Sequence, residues 1–325
     1  MLIAAFTGWN DAGDAASNSV RHLVEAWRAQ PLAEIDPEEF TDFATVRPQV
    51  RLTPERTRTI VWPTVGLWSA GTPGGDVILL LGPEPALRWR LFTEQIASVA
   101  QHFDVSLVLT LGALLADVPH TRPVQLIGTA TDQDIIDRFD LQRSRYEGPT
   151  GIVGVLHDMC SKADLSSASL WAAVPAYASQ VPSPKAALAL VERACEMLGS
   201  PAPVAKLELE SFEYDTRVTA FVADDSDLIG YVARLETMSD SGQLGDHGYD
   251  FGDDDDDDVD DDVDDVDVHD DDDDDVDVDD DDDDDDDDTV GGELGGEPDD
   301  AAVVDSDELM AEVERFLRDQ GTQGQ

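Results

Sequence analysis

Four polar clusters in this chain hold the residue types that could move protons or bind an anion. Asn10 and Asp11 lie in Gly8-Trp9-Asn10-Asp11-Ala12-Gly13-Asp14, and Glu84 and Arg88 flank Pro85. Asp117, His120 and Arg122 fall between Leu111 and Pro123, and Tyr146 and Glu147 precede Gly148-Pro149-Thr150-Gly151. If these clusters share one cleft, Asp11 or Glu84 serves as an acid/base group, His120 as a proton shuttle and Arg122 as an anion anchor. Each cluster also has a purely structural reading. Asn10, Asp11 and Asp14 suit the cap of a following helix. Glu84 and Arg88 stand four residues apart, as a helix-surface ion pair does. A single His in a loop is commonly a hydrogen-bonding residue, and Gly148 to Gly151 makes a tight turn as readily as an anion site.

The elements that must position these residues alternate in type. Apolar runs at Leu2–Phe6, Asp76–Leu81, Val105–Leu111, Val124–Thr129 and Ser169–Val174 read as strands. Helical periodicity marks the segment carrying Ala16, Val20, Leu23 and Trp27, then Pro85–His102, Asp132–Phe139, Gly151–Lys162 and Ser183–Leu198. Strands without period-two alternation, interleaved with helices, predict an α/β fold with a mainly parallel sheet covered on both faces. In such a sheet ligands bind beyond the carboxyl ends of the strands, where the polar clusters fall. The Val105 strand is expected to end at Gly112, so that its loop and the one after the first strand meet on one rim. Phe40–Thr45, Thr57–Trp62 and Val65–Ser69, broken by Pro48, Pro54 and Pro63, predict a hairpin insertion at about 38–70 with edge strands. Helices are expected at Val204–Asp215 and Asp225–Met238, and again at 305–319, where Leu309, Val313, Phe316 and Leu317 form one stripe. The expected organisation is thus a core over 1–202, a helical subdomain over 203–240 plus 305–319, and a disordered Asp-rich insertion over 241–304.

Charge narrows the function classes. The 325 residues carry a formal −53, and 30 of the 39 residues from Asp250 to Asp288 are Asp. Outside that tract the chain still carries −23, and it has only three lysines. A field of this sign repels phosphate backbones and anionic lipid, so neither nucleic acid nor a membrane surface is an expected partner. No apolar run approaches the ~18 residues a membrane helix needs, and Met1 to Phe6 is too short for a secretory signal. Cys160 and Cys195 stand outside any metal-ligand spacing and suit a reducing compartment, so a cytoplasmic location is expected, with no metal and no cofactor. The Asp tract lacks glycines after Gly252, unlike calcium-binding loops. There is also no GxxxxGK[ST], GxSxG or HExxH motif, and Gly148, Gly151 and Gly154 do not form a GxGxxG fingerprint.

Four longer blocks resemble a known family. Phe6 to Ala16, Leu109 to Pro123, Ser144 to Ile152 and Trp171 to Tyr177, with Glu84-Pro85 and Arg88-Trp89-Arg90, are similar to the actinobacterial branch of the PAC2 family, named after proteasome assembly chaperone 2. The resemblance covers about residues 1 to 240 plus the last helix. It implies a three-layer α/β/α core like that of phosphorylases and peptidyl-tRNA hydrolases, an inserted β-hairpin used in oligomerisation, trimers, and a helical C-terminal subdomain able to lid a cleft. It further implies an oligomeric protein-binding or assembly-chaperone-like role; the alternative is a small-molecule-binding protein or a hydrolase- or phosphorylase-like enzyme. Chaperone members can engage proteasome α subunits through a hydrophobic-tyrosine-any tail. The residues Gly321-Thr322-Gln323-Gly324-Gln325 carry no such tail, so docking by that device is not expected.

Overall fold

The computed structural model describes residues 1–54, 56–144 and 146–242. The first strand, β1 (Leu2–Thr7), is buried along nearly its whole length, as a strand covered on both faces must be. It lies at the centre of an eight-stranded sheet. The remaining members are β2 (Gln30–Ile35), β5 (Val65–Thr72), β6 (Gly75–Pro83), β7 (Val108–Ala116), β8 (Leu126–Ala130), β9 (Gln142–Arg143) and β10 (Ser167–Pro175). Their order is β2-β5-β6-β1-β7-β10-β8-β9. The central four, β6, β1, β7 and β10, run parallel, while β5 and β8 are antiparallel to their inner neighbours. A separate two-stranded sheet pairs β3 (Gln49–Leu52) with β4 (Arg58–Val61).

Helices cover both faces. On one side α1 (Ala15–Ala26) and α5 (Pro184–Leu198) bury Ala16, Val20, Leu23, Leu190 and Val191 against Ile3, Ala5 and Leu109. On the other, α2 (Trp89–His102) and α4 (Ile152–Lys162) bury Phe92, Ile96, Ile152 and Leu156 against Leu2, Ala4 and Phe6. The alternation along β1 therefore feeds two separate cores, which makes the predicted mainly parallel α/β sandwich. A short helix, α3 (Gln133–Phe139), starts where Asp132 accepts the Asp134 N–H at 2.9 Å. Ser183 and Pro184 open α5 and Gly199, at φ 74°, ends it. Beyond it α6 (Ala205–Ala223) and α7 (Ser226–Asp240) pack through Val218, Val222 and Val232 around the buried Tyr214 ring.

Several expected boundaries move. Phe40–Thr45 is not a strand: Phe40 is buried edge-on to Phe92, and Asp42 folds the following residues into a turn by accepting from the Ala44 N–H and the Thr45 hydroxyl. Val65–Ser69 belongs to β5, which sits inside the main sheet between β2 and β6 rather than at the edge of an insertion. The inserted hairpin is β3–β4, with Gln49–Leu52 as its other strand. The second helix begins at Trp89 rather than Pro85, because Arg88 takes a left-handed conformation (φ 52°). β7 continues through Gly112 to Ala116, and α6 runs on from Asp215 to Ala223. The acidic insertion expected over 241–304, its first two residues apart, and the helix expected at 305–319 lie outside the described residues.

Candidate functional site

Because β1 and β7 are parallel neighbours, the turns leaving them meet on one rim of the sheet. Residues 8–14 cross over β7: the Ala113 N–H donates to the Asn10 carbonyl at 2.9 Å, and Asp11 bridges Ala113. The Glu84 N–H donates to the Thr7 carbonyl at 2.9 Å, which brings the end of β6 to the same place. Glu84 Oε1 then accepts from Asn10 Nδ2 at 3.1 Å and from the Ile152 N–H at 2.8 Å. Gly151 offers no side-chain cap for α4, so the carboxylate of Glu84 caps that helix from 68 residues away. A Cβ at Gly151 would stand 2.6 Å from Asn10 Nδ2 and 3.0 Å from Glu84 Oε1, so only glycine admits this network.

Asp11 does the same for α1. Its Oδ1 accepts from the Ala16 and Ser17 N–H groups at 2.8 and 3.0 Å, whereas the buried Oδ2 has no hydrogen-bond partner among the described residues. Burial raises the Asp11 pKa, opposed by those hydrogen bonds. Asn10, Asp11 and Glu84 are thus brought together, each with a capping or bridging bond already made.

The other predicted residues go elsewhere. Arg88 does not meet Glu84; it pairs with Glu39 at 3.0 Å on the surface. Asp117, His120 and Arg122 form the seam that binds α6 and α7 to the core. His120 is 3% exposed and hydrogen-bonds the Tyr177 hydroxyl at 2.8 Å and the Thr219 hydroxyl at 3.0 Å. Its burial lowers its pKa. Its carbonyl accepts from Lys185, which pairs with Asp215 at 3.0 Å. Arg122 binds Asp240 through two bonds of 2.7 and 2.8 Å, and Asp117 accepts the Tyr231 hydroxyl. The expected carboxylate, imidazole and guanidinium therefore do not converge on one point.

Beside the Asn10–Glu84 network lies a cavity of about 660 Å³. Ile127 and Thr129 of β8 and Ser169 and Trp171 of β10 form its floor, and Tyr146 and Thr150 line the loop side. Trp171 lies over Gly112, where a Cβ would come within 2.5 Å of the indole ring. Thr129 and Ser169 share a hydrogen bond of 2.8 Å, and Tyr146 donates to the Pro149 carbonyl. Glu147, on the same loop, is exposed and does not line the cavity, and neither do α6 and α7. His157 of α4 also reaches it, held by Thr110 Oγ1 at 3.0 Å and Ser167 Oγ at 2.8 Å. Burial lowers its pKa to about 4, so the ring is neutral and accepts from one hydroxyl while donating to the other. Thr110, Thr129, His157, Ser167 and Ser169 are not among the residues that the sequence singles out. The signal was a hydroxyl within each otherwise apolar strand, but only the strand order shows that they share a face. Among the described residues neither imidazole has a carboxylate hydrogen-bonded to it, as a nucleophile-activating triad requires. Among the described residues there is no group of three potential metal ligands and no helix long and apolar enough to cross a membrane.

The model of the PAC2 family matches residues 5–222. A PAC2 family protein from Streptomyces avermitilis is 42% identical with a TM-score of 0.66, covering 71% of this chain and 98% of that one. A proteasome-assembly chaperone homologue from Mycobacterium tuberculosis is also 42% identical, with a TM-score of 0.65 and coverage of 71% and 99%. An archaeal homolog of proteasome-assembly chaperone from Pyrococcus furiosus, 15% identical over 74% of this chain and 94% of that one, shares the fold at a TM-score of 0.52. No curated protein matches the chain.

Proposed function

We propose, since this chain belongs to the PAC2 family, that it is an oligomeric protein-binding factor of the assembly-chaperone kind. The observation that carries this reading is the 42% identity to a proteasome-assembly chaperone homologue over 99% of that chain. The surface supports it. Val50, Leu52 and Ile60 of the β3–β4 hairpin are 63%, 71% and 54% exposed, and Leu209, Phe212 and Phe221 are exposed on α6. A two-stranded sheet is marginal in water by itself, so a hairpin carrying these side chains gains most from a partner surface. We assign the hairpin to self-association as a trimer and α6 to a protein client. The role implies residence in the cytoplasm, where proteasome subunits assemble.

The test mixes the full chain with α- and β-type proteasome subunits of Mycobacterium tuberculosis and follows complex formation by light scattering and particle assembly on native gels. The expected result is a particle three times the 35.2 kDa protomer when alone, a stable complex with one subunit type, and faster assembly. A monomer that associates with neither subunit type refutes the proposal.

A further inference from the structure

The outward face of α6 has the pattern of a surface that receives another helix. Leu207, Ser211, Tyr214, Val218 and Val222 recur every three or four residues and form the buried stripe of α6. At about 100° per residue, the opposite side carries Ala205, Leu209, Phe212, Thr216, Ala220 and Ala223, again three or four apart and all exposed. A helix with one face in the core ordinarily turns charged residues to water on the other, yet none of these six positions is charged. Leu209 and Phe212 are 61% and 71% exposed and stand up at one end of the stripe. Thr216, Ala220 and Ala223 leave a low shelf at the other. The stripe follows the 19 residues of α6, a length of about 28 Å. A spacing of three and four is the period of helix-on-helix packing, in which large side chains of one helix seat against small ones of the other. A strand, with its period of two, matches it over one turn only.

Charge decides the kind of helix. Glu208 borders the stripe on one side, and Glu213 and Asp224 border it on the other. None of these three carboxylates makes a hydrogen bond or ion pair among the described residues. Of the bases on α6, Lys206 is held by Glu25 at 3.2 Å, and Arg217 stands further round the helix than Glu213. Across α6 and α7 nine acidic residues stand against three basic ones. A partner helix edged with Glu or Asp would be repelled along both flanks, whereas one edged with Lys or Arg gains a counter-charge on each and a faster encounter. The α6 of a second copy carries the same acidic flanks and is disfavoured for that reason. Pairs at the edge of such a surface stay in water, so they select the partner, while Leu209 and Phe212 supply most of the affinity.

We infer that the outward face of α6 binds a basic amphipathic helix of a protein client, an inference that rests on the assignment of α6 to such a client. The experiment offers the full chain three labelled peptides of about 18 residues, close to the length of α6. One carries Leu at the three-and-four spacing with Lys on both flanks, one has Glu in place of each Lys, and one scrambles the lysine peptide so that no stripe forms. Fluorescence anisotropy at about 50 and about 300 mM NaCl reads the binding. The lysine peptide is expected to bind roughly tenfold or more tighter than either of the others and to weaken at the higher salt. The scrambled peptide has the same charge, so it measures attraction to the Asp-rich sequence alone. Leu209→Ser with Phe212→Ser changes two exposed side chains, so it should leave melting unchanged while lowering the lysine peptide to the affinity of the scrambled one. Glu208→Lys with Glu213→Lys should narrow or reverse the preference for lysine over glutamate. The inference falls if the lysine peptide binds no tighter than the scrambled or the glutamate peptide, or if the double Ser variant binds it unchanged. It also falls if that variant alters the oligomer seen by light scattering, which would seat a second copy on the face. Proteasome subunits that bind where the lysine peptide does not would overturn this inference alone, and a bound peptide without subunit binding would overturn only the assembly role.

Discussion

Replacing Glu84 with Ala tests whether the rim network holds the molecule together. The change removes the acceptor of two donors, Asn10 Nδ2 and the Ile152 N–H, on residues 2% and 0% exposed. Each hydrogen bond to an ionised group contributes about 1.5 to 3 kcal/mol, and a buried donor left without a partner loses its hydration as well. Glu84 is itself partly exposed, which lowers the charge-assisted share. The expected loss is therefore about 3 kcal/mol, nearer the sum of two weak terms than of two strong ones. For a folded region of this size a loss of 1 kcal/mol lowers Tm by about 2 to 4 °C, so Glu84→Ala should melt about 6 to 12 °C below the parent. Glu84→Gln keeps the accepting oxygen and should lose only about 1 kcal/mol. Urea titration at neutral pH gives the free energies, and amide exchange at Ile152 reads the α4 cap directly. In a double-mutant cycle Asn10→Ala and Glu84→Ala should couple by about 1 kcal/mol, since they share one bond. Melting of Glu84→Ala within about 1 °C of the parent, together with additive effects, would refute the assigned network.

Three further outcomes are expected. His157 has its pKa lowered from 6.5 to about 4, so the unfolded chain takes up this proton first. The neutral ring's contribution is intact above pH 6.5 and lost as pH falls towards 4, by up to about 3 kcal/mol. Urea unfolding from pH 7 to 4 should show a flatter profile for His157→Gln than for the parent, after each is corrected to its value at pH 7. Gly112→Ala drives a methyl group into the Trp171 ring, which should lower stability by about 1 to 3 kcal/mol and shift tryptophan emission as the cavity floor moves. His120→Ala removes the imidazole that bonds the Tyr177 and Thr219 hydroxyls and leaves Tyr177 only the N–H of residue 120, so hydrogen exchange should quicken across α6 and α7 while β1 and β7 stay protected; uniform loss of protection would place His120 in the global core instead.

The rim is legible in the sequence where one strand and its own loop carry the signal. Continuous apolar runs marked β1 and β10 as buried on both faces, and the dense Asn10-Asp11 turn pointed to the start of α1, where Asp11 indeed caps two N–H groups. The fold is not legible there where polar and apolar signals are balanced. The prolines around residues 48–63 suggest that all nearby strands are peripheral, yet β5 lies inside the sheet: a tight turn joins it to β6 on one side, and β2, about 30 residues earlier in the chain, pairs with it on the other. Phe40 looked like part of a strand because an aromatic residue fits a strand or a core equally well; its packing on Phe92 decided the matter.

The amino-acid order alone determined the alternation of buried strands with amphipathic helices, the acidic balance and the family blocks. Those depend on composition and on near neighbours along the chain. The tertiary structure alone decided that Glu84 caps α4, that Asp117, His120 and Arg122 fasten α6 and α7 rather than face a ligand, and that hydroxyls from β8 and β10 share a floor with Trp171. Each of these depends on which strands lie side by side, and the order β1-β7-β10-β8 is set by burial summed over the whole sheet rather than by any local run of residues.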